Sequence, residues 1–185
     1  MINSKPTGKE IKLGAKDMLV SKTDLSGKIL YGNRNFVEVV GYKENELIGA
    51  NHNIVRHPDM PKAIFYLLWK SIKKGHNIMA VVKNKAKNGD HYWVTTDFVI
   101  NRDNDGRIVS YTAFRYPTSK KVKKEVAVLY SKILEIEEAH SMDESIEYLN
   151  GFLEEKNMSY NQFVENLAKP TGLLAIFFNK KKKRY

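Results

Sequence analysis

Two turn signals spaced one strand apart constrain this chain more than any other feature. Lys87-Asn88-Gly89-Asp90 carries the Asn-Gly pair that supplies the positive backbone angles of a tight hairpin. Arg102-Asp103-Asn104-Asp105-Gly106 is a second cluster of turn residues. Around them lie Ile78 to Lys85, His91 to Ile100 and Arg107 to Tyr116, each rich in β-branched and aromatic residues. This pattern predicts three long antiparallel strands, with Pro117 closing the last.

Upstream, Met18 to Thr23 and Lys28 to Tyr31 read as two short strands joined by the turn Asp24-Leu25-Ser26-Gly27. Asn33 is placed to cap a helix over Arg34 to Val40, which Gly41 closes. Lys43 to Leu47 forms a short helical turn. Pro58 and Pro61 forbid a long helix across Asn51 to Pro61. Pro61 can open a new helix, in which Ala63, Ile64, Leu67, Leu68 and Ile72 keep helical spacing until Gly75. The order β-β-α-α-α-β-β-β predicts an α+β fold, a five-stranded antiparallel sheet with helices on one side. Such layers leave a cavity between them that suits a small ligand.

After Pro117 the period becomes helical. Val122, Val126, Leu129, Ile133 and Ile136 make a coiled-coil-like stripe over roughly two heptads. Ser141-Met142-Asp143-Glu144 resembles a capping box, and Ser159 is placed to cap a last helix. The expected organisation is an N-terminal arm (1–16), a core domain (17–117), a coiled-coil-like helix (118–140) and a helical tail (141–185). The tail ends in an apolar run, Leu173 to Phe178, followed by the basic run Lys180 to Arg184.

A chain of 185 residues with 42% apolar residues can bury a sizeable core without covalent staples. It contains no cysteine, which removes thiol nucleophiles, thiolate metal sites and cysteinyl-flavin adducts. No stretch approaches the roughly 18 apolar residues of a membrane span, and Met1 to Glu10 lacks the apolar centre of a signal peptide. A cytoplasmic protein is the expectation. The net charge of +10 is not concentrated as a nucleic-acid surface would be. Residues 1–120 hold 20 Lys and Arg against 11 Asp and Glu, scattered over many turns, and residues 121–179 hold 6 against 10. No nucleic-acid partner is expected. Phosphate-loop, dinucleotide and nucleophile-elbow motifs are absent, which argues against an enzyme.

Residues 18–116 resemble a PAS domain, in particular the flavin-binding PAS sensor domains of the bacterial aerotaxis receptors. The resemblance rests on Ser21-Lys22-Thr23-Asp24-Leu25, on Asn51 through Ala63, on Val82-Lys83-Asn84, and on Lys87-Asn88-Gly89-Asp90-His91-Tyr92-Trp93-Val94. It implies a redox or energy-taxis sensor that binds FAD noncovalently. It also implies signalling by contact with a membrane-anchored methyl-accepting chemotaxis protein near its HAMP region. The binding positions it implies are Asn33, Arg56, His57, Asp59, Trp69 and Asn84. Where these flavin-binding relatives have Trp-Ser-Gly after the glycine turn, this chain has Ile78-Met79-Ala80.

Residue chemistry agrees with that set. Arg56 offers a planar fork of donors for phosphate oxygens, and His57 can add a donor. Asp59 can accept from a ribose hydroxyl or hold Arg56. Trp69 can stack on a ring or fill the core, and Asn84 can report a change in hydrogen bonding. Two other readings stay open at this point. One is a haem b PAS sensor of oxygen or another gas, with His57 or Met79 beside the iron. The other is a ligand-free adaptor whose cavity is filled by Ile78-Met79-Ala80. The stripe Val122 to Ile136 could pair with a second copy in a homodimer. The apolar-basic tail suits peripheral contact with an anionic membrane surface.

Overall fold

The computed structural model describes residues 4–168. The expectations for Leu173 to Phe178 and Lys180 to Arg184 lie outside the described residues. Strands β1 (Leu19–Thr23) and β2 (Ile29–Gly32) are followed by α1 (Arg34–Val40), α2 (Glu44–Leu47), a 3₁₀ turn (His52–Val55) and α3 (Lys62–Lys73). Then come β3 (Ile78–Lys85), β4 (His91–Arg102) and β5 (Ile108–Pro117), and the helices α4 (Lys120–Ala139), α5 (Met142–Glu155) and α6 (Tyr160–Ala168).

The five strands form one antiparallel sheet in the order β2-β1-β5-β4-β3. Its register fixes which side chains share a face. Asn84 lies opposite Tyr92, Thr96 opposite Arg115, Ala113 opposite Ser21, and Tyr111 opposite Thr23. With a side-chain period of two, these residues point to one side. That side meets α1, α2 and α3 across a core built on Leu19, Ile29, Phe36, Leu47, Ile64 and Val94.

Local chemistry explains the boundaries. Asn33 accepts from the Phe36 amide and so caps α1, and Gly41 closes it at φ 70°. Pro61 stands at the N-cap of α3 but has no side-chain acceptor to give it. In the β3–β4 turn, Gly89 adopts φ +94°, and a Cβ there would stand 2.2 Å from the Lys5 carbonyl oxygen. The N-terminal arm runs that close because it pairs with the start of β4. Ile11 donates to the His91 carbonyl at 2.7 Å, and the His91 amide donates to Lys9 at 2.9 Å. The described part of the N-terminal arm is therefore bonded to the sheet.

The helices α1–α3 lie on one face, as expected, but the C-terminal helices reach the other. Trp93, on the outward phase of β4, stacks on Tyr130 of α4 with ring centres 6.4 Å apart. On the same outward phase of β3, Met79 donates its amide to Asn161 of α6 at 2.7 Å. The stripe on α4 is spent inside the chain. Val122, Val126, Leu129 and Ile133 are all at most 5% exposed. A helix whose apolar side is already covered by α3, α5 and α6 has no seam left for a second copy. Pairing through that stripe is accordingly not a property of this conformation. No helix among the described residues is long and apolar enough to cross a membrane.

Candidate functional site

A cavity of about 70 Å³ lies between α3 and the inner face of the sheet. A single water needs roughly 10–15 Å³ on the same measure. Helix α3 supplies Phe65, Leu68, Trp69 and Ile72. They fall at i, i+3, i+4 and i+7, one helical face. The sheet supplies Ser21, Thr23, Val82, Asn84, Phe98, Tyr111, Ala113 and Arg115, and the 3₁₀ turn adds His52 and Asn53. The walls are mostly apolar and aromatic. Trp69 meets Tyr111 edge-on at 5.9 Å, across the layers.

Three polar side chains meet here, with Arg115 bonded to the other two. Arg115 is 2% exposed. Its Nη1 donates to Ser21 Oγ at 2.9 Å and its Nη2 to His52 Nε2 at 2.9 Å. Its guanidinium also lies 5.4 Å from the Phe36 ring centre. Among the described residues it forms no ion pair. Burial pulls its pKa down to about 10, so it remains a cation at neutral pH. Burial and the Arg115 charge push His52 down to about 3, so its imidazole is neutral. On β3, Asn84 is 3% exposed, and its Nδ2 has no close hydrogen-bond partner among the described residues. A buried cation without an anion and a buried donor without an acceptor each cost free energy. A ligand with electron-rich atoms facing each would satisfy both.

The six residues singled out in the sequence separate into three groups. Trp69 and Asn84 line the cavity. Arg56 sits at its rim, with its backbone bridged to Asn84, its Nη2 donating to the Met60 carbonyl at 3.0 Å and its charge 4.5 Å from the Phe65 ring centre. His57 and Asp59 lie outside the lining, in a charged cluster with Lys83 and His91. Lys83 Nζ donates to Asp59 at 2.5 Å, His57 Nδ1 accepts from the Asp59 amide at 3.1 Å, and the His57 and His91 rings meet edge-on at 5.7 Å. Burial, with Lys83 next, pushes His57 down to about 4. Asn33 lies apart from the cavity. Its Oδ1 accepts from Val20 and Phe36 amides and its Nδ2 donates to the Met18 carbonyl, so it ties β1 to α1.

The sequence reading missed Arg115, Ser21 and His52. A signal for Arg115 was present. It stands two residues after Ala113 and four after Tyr111, so a charge occupies an inward position of a strand. Ile78, Met79 and Ala80 are not among the residues that line the cavity. Ile78 and Ala80 share the inward phase of Val82 and Asn84, whereas Met79 has the outward phase and donates its backbone amide to α6. Neither haem-side residue enters the cavity, since His57 faces His91 and Met79 lies on the other face. The histidine in the lining, His52, has its Nε2 held by Arg115 and by Ser21 at 3.1 Å.

Residues 29–115 match the family described as PAS fold. The chain thus carries a PAS domain, a five-stranded antiparallel sheet with a helical layer, extended here by C-terminal helices. Its relatives include the aerotaxis receptor of Escherichia coli (strain K12), 43% identical over 115 residues, which cover 62% of this chain and 22% of that protein. The biofilm dispersion protein BdlA of Pseudomonas aeruginosa is 25% identical over 111 residues, covering 60% of this chain and 27% of that one. The chain thus spans about a quarter or less of these curated relatives. Among solved structures, the dark structure of the blue-light photoreceptor Aureochrome1 LOV superposes with a TM-score of 0.54. It has 23% identity and covers 66% of this chain and 88% of that one, a likeness of fold.

Proposed function

We propose that this chain is a PAS redox sensor of the energy-taxis type that binds FAD noncovalently between α3 and the sheet. The observation that carries the reading is Arg115, a buried guanidinium without an ion pair among the described residues; Asn84, whose Nδ2 lacks a close partner among them, lines the same cavity from β3. Both face an apolar, aromatic-walled slot. Such a site suits a flat aromatic ring with hydrogen-bond acceptors on its rim. A bound flavin would supply reversible acceptance of electrons, with a change of charge at those acceptors.

The chain's own residues have distinct duties in this reading. Trp69, Tyr111, Phe65 and Leu68 sandwich the ring and exclude water. Arg115 and Asn84 donate to its polar atoms, and Ser21 and His52 hold Arg115 in place. Arg56 at the rim, with His57, Asp59 and Lys83 beside it, serves the phosphate-bearing part. Asn33 fixes β1 against α1. The lack of cysteine leaves no residue for a thiol adduct, so any response is to electrons rather than to covalent capture of the ring. The partner is a membrane-anchored methyl-accepting chemotaxis protein, contacted near its HAMP region. The similarity to the aerotaxis receptor supports that context.

The test is the absorption spectrum of protein purified from cells supplied with riboflavin and haem precursors. The paired near-ultraviolet and blue bands of an oxidised flavin, bleached by dithionite and yielding FAD on denaturation, are expected. A Soret band in their place, or a colourless folded protein that leaves added FAD fluorescence unquenched, overturns the reading.

A further inference from the structure

The C-terminal helices bond to two walls of the cavity at the level of the main chain. Helix α3 begins without a cap of its own, because Pro61 offers no side-chain acceptor. The exposed amides of a first helical turn need partners from elsewhere. They find one on α4, where Glu137 accepts from Lys62 N–H at 2.9 Å and from Ala63 N–H at 2.7 Å. Ser145 of α5 donates to the same carboxylate at 3.3 Å. The Glu137 charge also acts on Arg56, opposing the cost that burial places on its guanidinium. On the other wall, Tyr130 of α4 donates to the Val81 carbonyl at 2.6 Å, and Asn161 of α6 accepts from Met79. Thus α3, which delivers Phe65, Leu68, Trp69 and Ile72 to the cavity, is capped by a residue about 75 positions downstream.

We propose that Glu137 is a positioning residue that couples ligand binding in the cavity to docking of the C-terminal helices. This rests on the reading that the cavity takes a flavin. A ligand pressing on Trp69 or Phe65 shifts the first turn of α3, and the two amides on Glu137 carry that shift to α4. Coupling of this kind is reciprocal, so release of α4 loosens the cavity wall and weakens the ligand by the same factor.

The test is hydrogen–deuterium exchange on the full chain, with and without FAD, for the wild type, Glu137→Ala and Glu137→Gln. Quenching of FAD fluorescence reports binding in parallel. FAD is expected to slow exchange in α3 and in α4–α5 together. In Glu137→Ala the slowing remains in α3 and disappears from α4–α5, and FAD binds about fivefold more weakly, the size set by a lost helix cap. Glu137→Gln keeps a carbonyl acceptor and restores part of both effects. If FAD slows α3 alone in the wild type, or if Glu137→Ala matches the wild type, the coupling is overturned. If FAD does not bind, the flavin reading fails on its own. The coupling is then judged in the ligand-free protein, where Glu137→Ala must speed exchange in the first turn of α3 and in α5 together. A rise confined to one of them overturns it. Should the alanine variant not fold, Glu137→Gln against the wild type gives the same comparison, with smaller differences of the same sign.

Discussion

Arg115 Nη2 lies 2.9 Å from His52 Nε2, and this contact fixes the tautomer of the imidazole. A guanidinium can only donate, so Nε2 accepts and the ring proton sits on Nδ1. Ser21 completes the arrangement, accepting from Arg115 Nη1 while its own hydroxyl donates to Nε2. The three side chains hold a cation in the cavity wall without neutralising it.

Replacing that cation separates stability from binding. In Arg115→Met the ligand-free protein loses an uncompensated buried charge, and Ser21 and His52 keep their bond to each other. Its melting temperature is expected to stay level or rise. FAD affinity is expected to fall by at least tenfold, since a hydrogen bond to a charged group is worth roughly 1.5–3 kcal/mol. Calorimetric melting and fluorescence titration check the pair. A fall in both, or in neither, contradicts the role given to Arg115.

Acid should destabilise the fold before its carboxylates are neutralised. His52 and His57 are held at about 3 and about 4, against an ordinary value of 6.5. Between those limits the unfolded chain binds protons that the folded chain refuses. The stability contribution is therefore complete above pH 6.5 and is lost as the pH falls towards 4 and 3. At pH 5 each group costs roughly 2 kcal/mol. Together they lower the melting temperature by about 10 °C relative to pH 7. The His52→Gln, His57→Gln double variant should show a much flatter profile between pH 7 and pH 5.

Gly89→Ala tests the seating of the N-terminal arm. The turn holds this residue at φ +94°, and a Cβ would stand 2.2 Å from the Lys5 carbonyl oxygen. The backbone strain alone costs roughly 1–2 kcal/mol. The clash must also push the arm off the hairpin. Limited proteolysis should then cut within residues 4–12 well before it cuts the wild type.

Tyr130→Phe tests the covering of β3. The hydroxyl donates to the Val81 carbonyl at 2.6 Å and pairs with the Tyr160 hydroxyl inside the protein. Its removal leaves buried groups without their partner and is expected to cost about 1–3 kcal/mol. Urea denaturation measures the loss, and exchange should rise mainly in α4, α6 and β3.

Much of the core was legible because short-range signals agreed with long-range packing. Asn88-Gly89 announced its hairpin, Asn33 and Gly41 bounded α1, and Pro61 marked the start of α3. The site was only partly legible. Trp69 and Asn84 lie in the cavity wall, whereas Asn33 has spent its amide on capping and His57 turns to His91. A motif shows that residues cluster in sequence, not which way each side chain turns at an irregular loop. Arg115 escaped notice because its meaning depends on β1, which brings Ser21, 94 positions away, to its guanidinium. The stripe on α4 was read as an open seam because spacing shows that a face is apolar and not what covers it.

Both margins of the sheet are covered in part. On the β3 side Asn161 takes the Met79 amide, and Tyr130 takes the Val81 carbonyl. On the β2 side Ile29 donates to the Ala50 carbonyl and accepts from the Gly49 amide. An open margin is a template on which any extended peptide, including a misfolded neighbour, can add itself as a further strand. At these positions the template is withheld. A partner that approaches them meets side chains and already bonded backbone, and so has to tell one sequence from another.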